Sequence, residues 1–183
     1  MELYDLYCKF PRISTDSRQV VAGGIFFALH GETFDGNRYA AAVVGAGAAA
    51  AVIDDPAVTD GMSAAEKANY FVVPDTLKAL QELAARHRRQ LGIPILAITG
   101  SNGKTTTKEL ISRTLKRKYR VAVTQGNFNN HIGVPLTLLA MDRSAEFGVV
   151  EMGASHCGEI ALLCSIAQPD FGLITNIGKA HPE

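Results

Sequence analysis

A glycine-rich turn connects an apolar run to a helical stretch in the second half of this chain. Residues 95–99 predict a buried strand, and Gly100-Ser101-Asn102-Gly103-Lys104-Thr105-Thr106 leads from it into a helix. Glycines let backbone N–H groups converge on an anion, and the helix N-terminus adds partial positive charge. Because Ile98 occupies the place of the first glycine in the longer pattern, this is a shortened Gly-x-x-Gly-Lys-Thr phosphate loop.

The chain after this turn alternates strands with helices, which predicts parallel β-α-β units. We expect strands at 95–99, 120–124, 147–151 and 171–175, and helices at 104–118, 134–141 and 159–167. The earlier half is irregular at its start and then predicts strands at 24–29, 49–53 and 71–73, a helix at 38–44, and another helix that begins after Asp75. Gly92 and Pro94 mark a boundary. The fold class is therefore α/β, with a small first domain at 1–92 and a parallel-sheet phosphate-loop domain at 93–183.

The carboxyl ends of the later strands should meet in one cleft. In this cleft Lys104 can reach nucleotide phosphates, and Thr105 and Glu151 can hold magnesium. The asparagines at 127, 129 and 130 are also explained by turn formation, and His181 by a structural or solvated role. We interpret the basic run at 86–89 as the solvated end of a helix.

Composition excludes several classes of protein. Lys plus Arg and Asp plus Glu number 18 each, so no net positive charge favours nucleic-acid binding. The three cysteines form no CxxC pair, which is typical of reduced thiols, and His156 with Cys157 lacks further zinc ligands. The chain has no signal-peptide pattern, and its longest uncharged run, residues 39–53, is shorter than the roughly 20 residues of a membrane helix. We expect a cytoplasmic monomer without membrane insertion.

Several motifs together resemble the Mur ligase family. The phosphate loop at 99–107 is similar to the ATP loop of that family, and the later segments at 126–137, 151–154, 158–160 and 174–181 fit the same family. In the first half, Asp16-Ser17-Arg18, the run at 27–31 and Asp35-Gly36 resemble the family's amino-terminal domain, which receives a UDP-sugar. The likeness covers nearly the whole chain.

The resemblance implies an ATP-dependent ligase of cell-wall synthesis, and the asparagine-rich segment points to the member that joins D-alanyl-D-alanine to UDP-N-acetylmuramoyl-tripeptide. ATP would phosphorylate the peptide carboxylate, and the amine would attack the acyl phosphate. By this likeness Lys104 stabilises the transferred phosphoryl group, and Thr105, Glu151 and His181 hold Mg²⁺. The same likeness implies that Asn127, Asn129 and Asn130 line the cleft, with Asp16, Ser17, Arg18, Asp35 and Gly36 near the UDP-sugar.

Two departures from the family pattern qualify that reading. Pro182 stands where the family has leucine, and it could redirect His181. The chain also stops at Glu183, before the family's metal-bridging lysine and third domain, so we expect a front portion that folds but does not ligate by itself. Three alternatives stay open: the sister ligase that adds the third amino acid, a nucleotide- or UDP-sugar-binding module without chemistry, and a small-molecule phosphate-loop kinase.

Overall fold

The computed structural model describes residues 2–178, and the chain divides into two compact units. We call Met1–Leu83 the amino-terminal unit and Ala84–Glu183 the carboxy-terminal unit. The junction lies inside a long helix, α4 (Thr76–Leu91), whereas the boundary proposed from the sequence follows the end of that helix.

The amino-terminal unit is built on a four-stranded parallel sheet with the order β1-β2-β3-β4. Its strands are β1 (Ile13–Ser14), β2 (Ile25–Phe27), β3 (Ala50–Ile53) and β4 (Tyr70–Val72). Its complete helices are α1 (Leu3–Lys9), α2 (Ala40–Gly45) and α3 (Ala64–Lys67), with 3-10 turns at Gly36–Tyr39 and Pro56–Thr59. Strands β2 and β3 are buried along their whole length, because both consist of alanine, β-branched and aromatic residues that fill a central strand.

The carboxy-terminal unit contains a second parallel sheet of four strands, in the order β6-β7-β5-β8. Its strands are β5 (Ile95–Thr99), β6 (Val121–Val123), β7 (Phe147–Glu151) and β8 (Phe171–Ile174). Its helices, besides the end of α4, are α5 (Lys104–Leu115), α6 (Gly133–Leu139) and α7 (Glu159–Ala167). Strand β5 lies between β7 and β8, so the loop after β5 emerges next to the ends of both neighbours. The α/β class and the parallel sheets expected from the sequence are confirmed.

Two expectations about local structure are wrong. The start of the chain is not irregular, because Glu2 and Asp5 form a capping box that begins α1. The basic run at 86–89 is not a wholly solvated helix end, because His87 and Arg88 are buried. The Arg88 guanidinium donates to the Ala167 carbonyl at 2.9 Å and to Asp170 Oδ2 at 2.8 Å. These partners hold the end of α4 inside the carboxy-terminal unit.

Candidate nucleotide site

The glycine-rich loop after β5 is tied to the segment that follows β8. The Ser101 N–H donates to the Asn176 carbonyl at 3.2 Å, and the Asn102 N–H donates to Asn176 Oδ1 at 3.1 Å. In return, the Thr175 hydroxyl donates to the Asn102 carbonyl at 2.6 Å. Because the loop's path is fixed by these bonds from a neighbouring strand end, it is shaped before any ligand arrives.

Gly100 is required at the start of this loop for two reasons. Its φ of 133° lies in the region that L side chains rarely adopt. A Cβ atom there would also collide with the Thr175 hydroxyl and lie 3.0 Å from the Asn176 carbonyl oxygen. The close approach of the two segments therefore depends on the missing side chain.

Helix α5 begins immediately after the loop and leaves its first turn without a side-chain cap. Gly103, the residue before it, has a φ of 78° and makes no capping hydrogen bond. The first N–H groups of a helix lack partners within the helix, and together they carry partial positive charge. This end of α5, with Thr105 and Thr106 exposed on its first turn, is suited to an anion such as phosphate.

The Lys104 side chain lies back across its own loop. Its Nζ donates to the Gly100 carbonyl at 2.5 Å and to the Ser101 carbonyl at 3.4 Å. Both acceptors are neutral, so a phosphate oxygen would be a stronger partner for the same ammonium. Lys104 is thus held at the loop in a position from which it can exchange carbonyls for phosphate.

Glu151 ends strand β7 with a carboxylate that is almost fully buried, its residue being 2% exposed. Its Oε1 accepts from the Thr105 hydroxyl at 3.3 Å and from Asn129 Nδ2 at 3.1 Å. Its backbone N–H donates to Thr124 Oγ1 at 2.9 Å. The ends of β6 and β7 and the start of α5 therefore meet at Glu151, as the parallel topology predicts.

Lys108 is the residue at this site that sequence reasoning missed. Its Nζ lies 3.4 Å from Glu151 Oε2 and donates to the Thr124 carbonyl at 3.0 Å, although the residue is only 2% exposed. Lysines next to glutamates on a helix usually belong to a solvated face. The signal that could have identified Lys108 is its spacing of three residues from Thr105, which places both side chains on one face of α5.

The donor set at Glu151 fits magnesium. Oε2 of this buried carboxylate accepts no hydrogen bond, and the Thr105 hydroxyl lies beside Oε1. Magnesium is commonly bound by one or two carboxylates, with water and substrate phosphates completing its shell. Within residues 2–178, no cluster of three acidic, histidine or cysteine side chains surrounds a common point.

Of the asparagines expected near this cleft, one contacts Glu151 and the other two make local contacts. Asn129 contacts Glu151, whereas Asn130 Oδ1 accepts from the backbone N–H groups of Ile132 at 3.1 Å and Gly133 at 2.8 Å. Asn127 is exposed, and its carbonyl accepts from the Asn129 N–H. His181 and the neighbouring Pro182 lie outside the described residues.

In the amino-terminal unit, the residues expected near a UDP-sugar form two local groups, one at 16–18 and one at 35–36. Arg18 donates from Nε to Asp16 Oδ1 and from Nη2 to Asp16 Oδ2, both at 2.9 Å, and Ser17 lies between them. These hydrogen bonds lower the pKa of Asp16 to about 2. Asp35 Oδ1 accepts from the Asn37 N–H at 3.0 Å, and a Cβ on Gly36 would come within 2.5 Å of the Leu29 carbonyl oxygen. Asp35 and Gly36 thus also shape the turn at Gly36–Tyr39.

A second polar cluster, also missed by sequence reasoning, surrounds Asp54 just after β3. Its Oδ1 accepts from Asn37 Nδ2 at 2.8 Å, and its Oδ2 accepts from the Thr76 N–H at 3.2 Å and the Thr76 hydroxyl at 3.1 Å. His30 Nε2 lies 3.0 Å from the same Oδ2. The cluster joins the ends of β2 and β3 to the start of α4.

Comparison with known proteins identifies the family. Residues 9–88 match the profile of the Mur ligase family, catalytic domain, and residues 98–183 match the Mur ligase middle domain. The chain belongs to the Mur ligase family. This confirms the family resemblance stated from the sequence.

Individual Mur ligases are similar over most of this chain. The UDP-N-acetylmuramoyl-tripeptide–D-alanyl-D-alanine ligase of Synechocystis sp. is 48% identical over 94% of the chain. A solved structure of the D-alanyl-D-alanyl ligase from Acinetobacter baumannii is 41% identical over 94% of the chain, with a TM-score of 0.85. The MurF ligase of Thermotoga maritima in complex with ADP is 34% identical over 99% of it, with a TM-score of 0.82.

The chain spans only part of the length of these Mur ligases. It covers 37% of the Synechocystis ligase, 37% of the A. baumannii chain and 40% of the T. maritima chain. Within residues 2–178, no helix is both long enough and apolar enough to cross a bilayer.

Proposed function

We propose that this chain provides the UDP-sugar-binding and nucleotide-binding parts of a cytoplasmic ligase that uses ATP to join D-alanyl-D-alanine to UDP-N-acetylmuramoyl-tripeptide. The observation that carries the proposal is the phosphate loop of β5 and α5, which holds Lys104 against its own carbonyls and presents Thr105 to the buried carboxylate of Glu151. The names of the similar ligases support the choice of substrates, and the ADP complex of the T. maritima ligase supports the choice of nucleotide.

In this proposal the nucleotide phosphates bind at the uncapped N-terminus of α5. The backbone N–H groups of Ser101 and Asn102 are already committed to Asn176, so the phosphates would meet the N–H groups of the first helical turn. Lys104 would leave the Gly100 carbonyl for a phosphate oxygen. Its ammonium would then offset the negative charge that develops during phosphoryl transfer.

Thr105 and Glu151 would hold the magnesium ion that accompanies ATP, and Asn129 would orient Glu151 through Oε1. Bound magnesium supplies charge neutralisation at the β- and γ-phosphates. A second metal contact from His181 is implied by the family resemblance alone and stays a prediction.

The chemistry requires two successive displacements. An oxygen of the tripeptide's terminal carboxylate attacks the γ-phosphorus, the bond to the β-phosphate oxygen breaks, and ADP leaves. The amine of D-alanyl-D-alanine then attacks the acyl carbon, loses a proton and expels inorganic phosphate. Residues of this chain would act by holding anions in line and neutralising charge, which are the main contributions of proteins to phosphoryl transfer.

The UDP-sugar is proposed to bind the amino-terminal unit near Asp16, Ser17 and Arg18, with Asp35 and Gly36 shaping the adjacent turn. Asp16 occupies Nε and Nη2 of Arg18, which leaves Nη1 to donate to a pyrophosphate or carboxylate oxygen. An arginine held in this way loses little further freedom on binding. The asparagines Asn127, Asn129 and Asn130 are proposed to line the nucleotide cleft.

The experiment is calorimetric titration of the chain with ADP in the presence of magnesium. Lys104→Ala should weaken ADP binding by roughly 100-fold, which corresponds to about 2.7 kcal/mol, because a charge-assisted phosphate contact is lost. The matched control is Lys116→Ala, an exposed lysine at the opposite end of α5, which should change affinity less than about twofold. Equal affinities for wild type and Lys104→Ala would refute the proposed site.

A further inference from the structure

Lys108 and Glu151 form a buried pair of opposite charges behind the phosphate loop. Each residue is only 2% exposed, so both charges have been taken out of water. Such a pair is seldom the most stable filling of a protein interior, since apolar residues of similar size often serve equally well. Stability alone therefore does not explain why Lys108 and Glu151 are paired in the interior.

The geometry shows that the ammonium does not saturate the carboxylate. The distance from Lys108 Nζ to Glu151 Oε2 is 3.4 Å, which is longer than the usual 2.7–2.9 Å or so of a charge-assisted hydrogen bond. The hydrogen bond that fixes the ammonium goes to the Thr124 carbonyl at 3.0 Å instead. Oε2 thus lies close to a positive charge without accepting a hydrogen bond from it.

One residue aligns both members of the pair. Thr124 accepts from Lys108 through its carbonyl and accepts from the Glu151 N–H through its hydroxyl at 2.9 Å. Thr105 is exposed, whereas Lys108 is buried, so Lys108 approaches the carboxylate from the protein interior. A cation arriving with nucleotide would meet the opposite side of Glu151, next to the Thr105 hydroxyl.

We propose that Lys108 is a positioning residue that acts through Glu151, holding this carboxylate toward Thr105 so that magnesium strengthens nucleotide binding. The inference rests on the proposed nucleotide function. Without the ammonium, Glu151 would keep only its Oε1 bonds to Thr105 and Asn129 and its position in the site would be less well defined. Partners that orient metal ligands in this way typically contribute about 10- to 100-fold to metal affinity.

The test measures the affinity for ADP with and without magnesium and takes the ratio of the two dissociation constants. Lys108→Met removes the charge and the donor at similar length, and it should reduce the magnesium enhancement at least about 10-fold. Glu151→Gln should reduce the enhancement as well. Because Lys108 is proposed to act through the Glu151 carboxylate, adding Lys108→Met to the Glu151→Gln protein should reduce the magnesium enhancement little further.

Two further variants keep the test decisive. Lys108→Gln retains a donor for the Thr124 carbonyl but has no charge, so it should lose the magnesium enhancement as Lys108→Met does. If Lys108→Met does not fold, the measurement is made on Lys108→Gln alone. Lys116→Met, at the exposed end of the same helix, should keep the wild-type ratio. A wild-type ratio in folded Lys108→Met or Lys108→Gln, or an undiminished effect of Lys108→Met in the Glu151→Gln background, would overturn the inference.

The outcomes also separate this inference from the proposed function. If the wild-type chain binds no ADP at all, the nucleotide site itself is wrong. If the wild type binds ADP with a magnesium enhancement that the Lys108 variants share, the site stands and only the role of Lys108 fails.

Discussion

The two units of this chain each carry a polar cluster beyond the ends of a four-stranded parallel sheet, but the clusters are satisfied in different ways. In the amino-terminal unit, Asp54 accepts hydrogen bonds from Asn37 and Thr76 at both carboxylate oxygens. In the carboxy-terminal unit, Glu151 accepts through Oε1 only, and its Oε2 faces the Lys108 ammonium without a hydrogen bond. Asp54 thus has hydrogen bonds at both carboxylate oxygens, whereas Glu151 has them at one oxygen only.

The electrostatics of Asp54 agree with a structural role. Burial on its own would raise the pKa of Asp54, but the hydrogen bonds from Asn37 and Thr76 outweigh burial and hold the pKa below its ordinary value of 3.8. The folded state therefore stabilises the ionised form of Asp54 through these hydrogen bonds. A carboxylate at the end of a parallel strand is therefore not by itself evidence of a ligand site, because Asp54 has that position with hydrogen bonds at both of its oxygens.

The first prediction concerns how much the Asp54 cluster stabilises the amino-terminal unit. Asp54→Ala should destabilise the amino-terminal unit by about 3 kcal/mol, because it leaves the buried Thr76 N–H without its acceptor and removes one of the two acceptors of the Asn37 amide. Urea unfolding measures the loss. Asp55→Ala is the control, since the exposed Asp55 only caps the turn at Pro56–Thr59 and should cost about 1 kcal/mol. Equal losses for the two variants would contradict the structural role of Asp54.

The next prediction concerns which of the two clusters, at Asp54 or at Glu151, lies at the nucleotide site. ADP with magnesium, at a hundredfold excess over its Kd, should stabilise the carboxy-terminal unit by about 2.7 kcal/mol. Hydrogen exchange followed by mass spectrometry should show the added protection in β5, β7 and the start of α5. Added protection mainly in β2 and β3 would show that the nucleotide binds at the Asp54 cluster instead.

Much of this architecture could be predicted from the sequence because its signals are local. The apolar runs that became β5 and β7 and the glycine-rich turn at Gly100 have fixed consequences for the backbone. Parallel topology then brings the strand ends together, so the meeting of Thr105 with Glu151 follows from the pattern.

The parts that could not be predicted depend on partners distant in sequence. The helix dipole accounts for a basic helix end, but it does not show that Arg88 is buried against Asp170, 82 residues further along the chain. Lys108 is similar, because only the packing of α5 against the sheet buries its ammonium near Glu151. Charged residues with such partners look solvated when only their neighbours in sequence are considered.

The two units should also differ in how their stability depends on pH. Burial lowers the pKa of His87, and this outweighs the hydrogen bond to the Met141 carbonyl. The unfolded chain then binds the proton more readily, so the carboxy-terminal unit should lose stability as pH falls below 6.5, the ordinary value for histidine.

Asp54 also has a lowered pKa, but its contribution is present above its ordinary value of 3.8 and is lost only as pH falls below that value. Between pH 7 and about pH 5, the His87 and Asp54 titrations together therefore predict acid sensitivity in the carboxy-terminal unit alone. Urea unfolding at a series of pH values, with hydrogen exchange to assign each unit, measures the difference. His87→Gln should flatten the profile. A profile that keeps its slope in His87→Gln would show that another group sets the acid sensitivity of this unit.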